Sequence, residues 1–133
     1  MASILKVDTL TGVSTAGSIS VTGEGNSTTT NLQQGLCKGW SHFTGGFTID
    51  DSFNISSVTD NGTGRPEFNF TNNMGNSTYS AAGHYYASMI GSYDSYGNFT
   101  ASSAAMSIFT HAGSLTDVSS GQIAGVNYFG DLA

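Results

Sequence analysis

Three histidines and one cysteine are the side chains of this chain that are most typical of zinc sites and thiolate chemistry. Zinc ligands usually occur as closely spaced pairs, and a thiolate site or a disulfide needs a second cysteine. His42, His84 and His111 stand far apart, and Cys37 lies among apolar residues, which is typical of a small buried hydrophobe. The sequence therefore predicts no metal ligands and no cofactor.

Acid–base and nucleophilic catalysis would need carboxylates or serines in a defined arrangement. Asp50 and Asp51 are adjacent, so in a strand they point to opposite faces and do not readily bind one ion together. No serine lies in a Gly-x-Ser-x-Gly elbow. The spacing of the acidic residues sets no pair apart as the two carboxylates of a glycosidase. We therefore expect no catalytic residues and a protein that is not an enzyme.

Tyrosines form the stretch of the chain that is most typical of a binding surface. The segment SYDSYGN carries Tyr93 and Tyr96, and Tyr86 precedes it by a few residues. Tyrosine offers a rigid apolar face and a hydroxyl group, which suits contacts with sugars and proteins. Tyr86, Tyr93 and Tyr96 are therefore the candidate receptor-binding residues, against the simpler interpretation, which we favour for any one of them, that they are ordinary half-buried residues of the sheet and loops.

The composition indicates which elements position these residues. Charged residues make up 9% of the chain, against roughly 25% in an ordinary soluble domain. Ser, Thr, Asn and Gly supply the polarity instead, and they favour turns and strands over helix interiors. Turn signals such as Gly45-Gly46 and Asn72-Asn73 separate short alternating runs. Among these runs, Tyr79 to Met89 is predicted as one long strand and Leu115–Val118 as a short one. The chain is therefore predicted to be all-β, with an antiparallel β-sandwich or jelly-roll-like arrangement.

The charge balance and the apolar runs exclude two classes of partner. The net charge is −6, and Lys6, Lys38 and Arg65 are the only Lys and Arg residues. Binding to nucleic acid or to anionic lipid needs clustered basic residues, so we expect neither. No apolar run approaches the roughly 20 residues that span a bilayer, and the first residues do not resemble a signal peptide. We expect that the chain does not insert into a membrane and that it is synthesised in the cytoplasm.

The aromatic residues divide the chain into two parts, because all of them lie from Trp40 onward. Residues 1–35 cannot form a core alone, whereas residues 36–133 have enough apolar bulk for one β domain. Ile4, Leu5, Val7 and Leu10 give residues 2–10 a strand-like pattern that needs a partner. Residues 11–35 are equally compatible with a flexible linker and with a thin shaft formed by several chains.

One hairpin is predicted from the segment 51–70. Asp60-Asn61-Gly62-Thr63-Gly64 has the residues of a turn, and Pro66 suits the start of the returning strand. Alternation on both sides of this turn predicts one inward-facing apolar row, and Trp40 on the preceding strand is predicted to join it. The predicted core residues are Trp40, Phe53, Ile55, Phe68 and Phe70.

Several segments together resemble structural proteins of marine tailed bacteriophages. The opening MASILKVDTLTG resembles the start of many such proteins, and Gly35, Leu36, Lys38 and Trp40 match a GL-x-K-x-W strand. The segment Asp51–Gly64 and then Phe70, Thr71 and Met74 are similar to the C-terminal module of fibre-like virion proteins, as is the closing Phe129-Gly130-Asp131. Gly39 departs from the pattern, which usually has Ala or a larger residue there.

This resemblance implies a virion surface protein that is commonly trimeric. Ile4, Leu5, Val7 and Leu10 would attach it to other virion proteins of the tail, collar or capsid. Residues 11–35 would form a linker or a shaft between this anchor and the head. Residues 36–133 would form the head, which would contact a glycan or protein on the host cell. One alternative is a capsid-surface decoration or head-fibre protein. Another is a free carbohydrate-binding, lectin-like module.

Overall fold

The computed structural model describes residues 4–13, 19–23, 29–86, 88–91, 97–110 and 112–132. The chain divides into two compact units, Met1–Gly35 and Leu36–Ala133. Each unit is described below by itself. Tyr93, Tyr96 and His111, which the sequence singled out, lie outside the described residues.

The first unit contains a small hairpin. Strand β1 (Ser20–Thr22) pairs antiparallel with β2 (Thr29–Asn31), and one helical turn follows at Leu32–Gly35. The backbone N–H of Leu32 donates to the carbonyl of Ile19 at 2.9 Å. Residues 4–13 have no regular secondary structure, so the strand predicted within 2–10 is not formed there. A strand needs a partner for its backbone groups, and residues 19–23 and 29–35, the other described part of this unit, form no ladder with residues 4–13.

The second unit is a β-sandwich, which confirms the predicted all-β fold. Its strands are β3 (Cys37–Thr44), β4 (Thr48–Phe53), β5 (Ile55–Asp60), β6 (Pro66–Phe70), β7 (Ser80–Tyr85), β8 (Ser88–Gly91), β9 (Asn98–Phe99), β10 (Ser103–Ala105), β11 (Ser107–Thr110) and β12 (Ala124–Phe129). A 3-10 turn, Gly45–Phe47, joins β3 to β4. One antiparallel sheet has six strands in the order β11, β8, β7, β12, β3 and β4, and the other has four in the order β5, β6, β10 and β9.

An aromatic cluster joins the two sheets at the centre of the core. Tyr128 of β12 packs edge-on against Phe70 of β6, with ring centroids 5.1 Å apart. Tyr79 stacks on Phe99 at 5.0 Å, and its hydroxyl donates to the carbonyl of Ser103 at 2.8 Å. The other buried hydrophobic residues are Phe43, Phe47, Ile55, Phe68, Met74, Tyr85, Ile90, Ala104, Met106, Ile108, Val118, Ala124 and Val126.

Small residues beside Tyr128 make room for its ring. Gly39 of β3 and Ala81 of β7 are its neighbours in register on either side. Burial raises the pKa of Tyr79 well above its ordinary value of 10.0. Burial, and secondarily the nearby Tyr79, raises the pKa of Tyr128 in the same direction. Both phenols therefore stay protonated far into the alkaline range in the folded chain.

The predicted hairpin between β5 and β6 is present, but its N-terminal limit was predicted wrongly. Ile55, Phe68 and Phe70 are buried, whereas Phe53 is 50% exposed. Asn54 has a φ of 59°, a left-handed conformation that interrupts the strand and ends its alternation. Phe53 therefore belongs to β4 and pairs with Trp40, while Ile55 begins β5 in the other sheet. The expectation that Phe53 and Ile55 share one inward face is wrong for this reason.

Trp40 is only partly buried and is not a member of the core cluster. It alternates with Gly39 and Ser41, which face the core because they pair with Tyr128 and Val126. Trp40 therefore lies on the outer face of the six-stranded sheet. The prediction that it joins the core row is wrong, since its neighbours occupy the inward positions.

Two further boundaries differ from the sequence expectation. The predicted long strand from Tyr79 to Met89 is two strands, β7 and β8, which pair with each other. Leu115–Val118, predicted as a strand, makes only an isolated bridge from Leu115 to Phe109. Within the described ranges, no helix has the length and apolar character needed to cross a bilayer.

Candidate binding site on the six-stranded sheet

The outer faces of the two sheets differ in chemistry. On the four-stranded sheet, the amide Nδ2 of Asn69 donates to Ser57 Oγ at 3.2 Å and to Thr59 Oγ1 at 3.0 Å. Ser103 Oγ donates to Glu67 Oε1 at 2.7 Å. These polar groups bond to one another across neighbouring strands. This face therefore satisfies many of its own hydrogen bonds.

The outer face of the six-stranded sheet carries exposed aromatic side chains. Trp40 and Phe53 lie opposite each other on β3 and β4. Phe129 on β12 is 39% exposed and follows the fully buried Tyr128, so it points outward. We call Trp40, Phe53 and Phe129 the aromatic patch. Exposed apolar groups that cluster in this way commonly mark an interaction surface.

Two histidines flank a glycine on the same face. Gly125 of β12 is the register neighbour of His42 on β3 and of His84 on β7. The imidazole of His84 leans over Gly125, because a Cβ added there would stand 2.6 Å from its Cε1. His42 Nδ1 lies 3.3 Å from Asp50 Oδ2, which forms an ion pair when the imidazole is protonated. The ring of His84 thus lies against the sheet, and that of His42 lies beside a carboxylate.

A pocket of about 390 Å³ opens beside His84. Its described lining residues are His84, Tyr86, Gly121, Gln122 and Ile123, and we call it the His84 pocket. His84 and Tyr86 come from the end of β7 and the turn after it, and the other three precede β12. The pairing of Tyr85 with Ala124 brings these two segments together. The volume lies at the lower end of the range of small-molecule sites.

The buried Tyr85 holds Gln122, one of the lining residues of the His84 pocket, in place. Its hydroxyl donates to Gln122 Oε1 and accepts from the backbone N–H of Ser119 at 3.2 Å. The backbone N–H of Gln122 donates to the carbonyl of Ser119 at 3.0 Å, which closes the turn around Gly121. With Oε1 engaged, the Nε2 donors are the part of the Gln122 amide that remains for a ligand. The arrangement can bind a polar molecule.

The described residues do not bring together the groups that metal binding would need. No three His, Cys, Asp or Glu side chains of the described ranges lie close enough to hold a metal ion. Cys37, expected to be buried, is only partly so, and its thiol donates to the carbonyl of Gly39 at 3.0 Å. Asp50 and Asp51 are exposed on β4. The described side chains of this face offer aromatic, imidazole and amide groups instead.

The predicted site residues have different outcomes. Tyr86 is 83% exposed and lines the His84 pocket, while Tyr93 and Tyr96 lie outside the described residues. The proposed anchoring residues Ile4, Leu5, Val7 and Leu10 are all exposed.

Sequence reasoning missed His84, Gln122 and Ile123 as lining residues. His84 could have been found, because it precedes Tyr86 by two positions and shares its face in a strand. Gln122 and Ile123 carry no such signal, since only the pairing of β7 with β12 places them there.

Comparison with known proteins identifies no relative of this chain: no family model, no curated protein and no solved structure matches it.

Proposed function

We propose that this chain is a structural protein of a bacteriophage virion, attached through residues 1–10 and presenting a β-sandwich head to the host surface. The exposed apolar side chains of the first unit carry this proposal. Ile4 is 79% and Leu5 80% exposed, and neither lies in a strand or helix. Burying one such side chain stabilises a complex by about 1.5–3 kcal/mol, so a partner that covers this segment gains substantially.

The resemblance of the opening residues and of the segment Asp51–Gly64 to phage fibre-like proteins supports a virion as that partner. The head itself is compatible with a structural role. Its described residues form a sandwich around an aromatic core, and its outward groups suit recognition more than catalysis. The protein under this proposal is not an enzyme and needs no cofactor.

The aromatic patch supports self-association, and we propose a trimer as in the proteins that the chain resembles. Each copy carries a net charge of −6, so copies repel one another unless they meet through uncharged surface. Trp40, Phe53 and Phe129 provide such a surface. Residues of this kind are enriched at the centres of protein interfaces.

Incorporation into virions tests the proposal. A variant with Ile4, Leu5, Val7 and Leu10 all replaced by serine should be absent from purified particles when they are analysed by mass spectrometry. The circular dichroism spectrum of its head should stay unchanged. Val13→Ser is the matched control, since Val13 is 97% exposed but lies outside the proposed anchor. Equal incorporation of the quadruple variant and the control would contradict attachment by this segment.

A density map of the intact particle locates the protein. Density at the tail or collar supports a short fibre, and density on the capsid surface supports a decoration protein. Absence of the chain from purified particles would overturn both and favour a free module.

A further inference from the structure

We propose that the His84 pocket binds a neutral sugar residue. This inference rests on the proposed function, in which the head faces a host surface, and it names the ligand class of that surface. The pocket has an aromatic wall, a short aliphatic wall and two polar side chains, all described above. A pyranose ring has the same mixture of an apolar C–H face and an equatorial rim of hydroxyl groups.

The walls of the His84 pocket provide the apolar contact. Tyr86 is 83% exposed, so its ring is open to a ligand, and Ile123 is 51% exposed. The pairing of Tyr85 with Ala124 places Ile123 across from Tyr86. A sugar ring lying across them would cover both side chains. Tyrosine suits this contact because it has few rotatable bonds to restrain and a hydroxyl at its edge.

One polar group of the pocket is already positioned. Gln122 is held by the hydroxyl of Tyr85, which is buried, and its Nε2 donors remain for a sugar hydroxyl. The exposed imidazole of His84 lies over Gly125 and can donate to or accept from a second hydroxyl. Since Gln122 is held before binding, less conformational entropy is lost when a ligand arrives.

Charge favours a neutral sugar over an acidic one. The described lining residues include no Asp, Glu, Lys or Arg. The net charge of −6 disfavours the approach of sialic acid, uronic acids or sulfated sugars. A cationic ligand would lack a carboxylate to pair with in the lining. The chemistry of the pocket therefore points to uncharged hydroxyl and acetamido groups.

A peptide fits this position less well. Extended peptides commonly bind by adding a strand to a free sheet edge. β7 and β12, which carry the pocket, lie inside the six-stranded sheet, whose edges are β11 and β4. Both neighbours of each strand are occupied, so neither strand offers a free edge to which a peptide could add. Recognition at the pocket must use side chains, as sugar binding does.

The test uses the full chain, labelled with ¹⁵N, titrated at millimolar concentration with methyl glycosides of glucose, galactose, mannose and N-acetylglucosamine. Sialic acid serves as the charged comparison. At least one neutral glycoside should shift the backbone signals of His84, Tyr86 and Gln122. Tyr86→Ala should weaken that binding by about tenfold, the upper range of one aromatic contact. Tyr86→Phe keeps the ring and should keep most of the affinity.

Leu36→Ala is the matched control, because Leu36 is 52% exposed and lies outside both the pocket and the aromatic patch. It should leave glycoside binding unchanged. The site is overturned if no neutral glycoside binds, if Tyr86→Ala and Leu36→Ala bind equally well, or if sialic acid binds more tightly than every neutral sugar. Virion incorporation is measured separately. A chain that binds no sugar could still be incorporated into particles, and a chain that is absent from particles could still bind a sugar, so the two proposals fail independently.

Discussion

The imidazole of His84 lies over the α-carbon of Gly125 on the neighbouring strand, where a methyl group would stand 2.6 Å from Cε1. The glycine thus sets the position of the ring that lines the pocket. The atoms that oppose a Cβ belong to the outer end of an exposed side chain. They can move aside, unlike a backbone or a core group.

Gly125→Ala is therefore expected to displace His84 without unfolding the head. Alanine favours a strand over glycine by about 0.5–1 kcal/mol, which offsets the cost of moving the ring. The His84 side-chain signals should shift in NMR spectra, while the unfolding midpoint in urea stays nearly constant.

Gly83→Ala is the control for Gly125→Ala, since its Cβ would stand 2.8 Å from Cβ of the buried Ile90. It should cost about 1–3 kcal/mol as an overpacked core position. Equal stability of the two variants would show that His84 is as firmly packed as the core.

Gly64 combines a left-handed backbone with close packing. Its φ is 64°, and a Cβ would stand 2.6 Å from the carbonyl oxygen of Ile108. Gly64→Ala should lower the free energy of unfolding by at least about 2 kcal/mol, because strain and overlap act together. Gly46 has a similar φ of 71° with open space around it, so Gly46→Ala should cost only about 1–2 kcal/mol. Urea titrations compare the free energies of unfolding of the two variants. A larger loss of stability in Gly46→Ala than in Gly64→Ala would contradict the close packing at Gly64.

Asn54 joins the two sheets where the chain crosses between them. Its Nδ2 donates to the carbonyls of Lys38 at 2.9 Å and Asn72 at 3.0 Å, and its Oδ1 accepts from the N–H of Asn72 at 2.7 Å. Asn54→Ala should cost about 2–4 kcal/mol, since it removes these bonds and strains a left-handed residue. Asn54→Gly removes the bonds alone and should cost less. If both variants cost the same in thermal melts, backbone strain contributes nothing at this position.

The buried phenols of Tyr79 and Tyr128 predict a loss of stability in alkali. Both have a folded-state pKa above the ordinary value of 10.0. Above about pH 10 the unfolded chain therefore releases protons that the folded chain keeps, and each residue lowers stability by about 1.4 kcal/mol per pH unit. Below pH 9 this contribution is constant. Urea unfolding between pH 8 and 11 measures the slope.

Tyr128→Phe isolates one of the two phenols. Its hydroxyl makes only a weak contact, 3.7 Å to the sulfur of Met106, so the variant should keep its stability at neutral pH. It should lose about half of the alkaline slope, and an unchanged slope would assign the effect to other groups.

The parts of the fold that the sequence predicted depend on local signals. The hairpin of β5 and β6 follows from a turn rich in Asn and Gly between two alternating runs, so its pairing was predictable. Phe53 was misplaced because Asn54 has a positive φ, which ended the alternation. Most asparagines in strands keep an extended backbone, so the sequence did not indicate this break. The turn after Tyr85 was missed because the run from Tyr79 to Met89 alternates without Pro or another strong turn signal near its end.

The pocket was only half predictable. Tyr86 has the residue type of a binding surface, and alternation places His84 beside it. Gln122 and Ile123 lie in a distant segment, and they reach the pocket because β12 pairs with β7. That pairing depends on the whole core, including the small residues that accommodate Tyr128, and no local pattern specifies it.

The position of β3 has a mechanical consequence for a protein held by its N-terminal part. β3 is the first strand of the head, and it lies between β12 and β4. Its hydrogen bonds run perpendicular to the strand. Tension entering through Leu36 in line with β3 therefore loads both ladders in shear, and many bonds must rupture at once. Under the proposed attachment, a head built in this way resists being pulled open by a load on its N-terminal end.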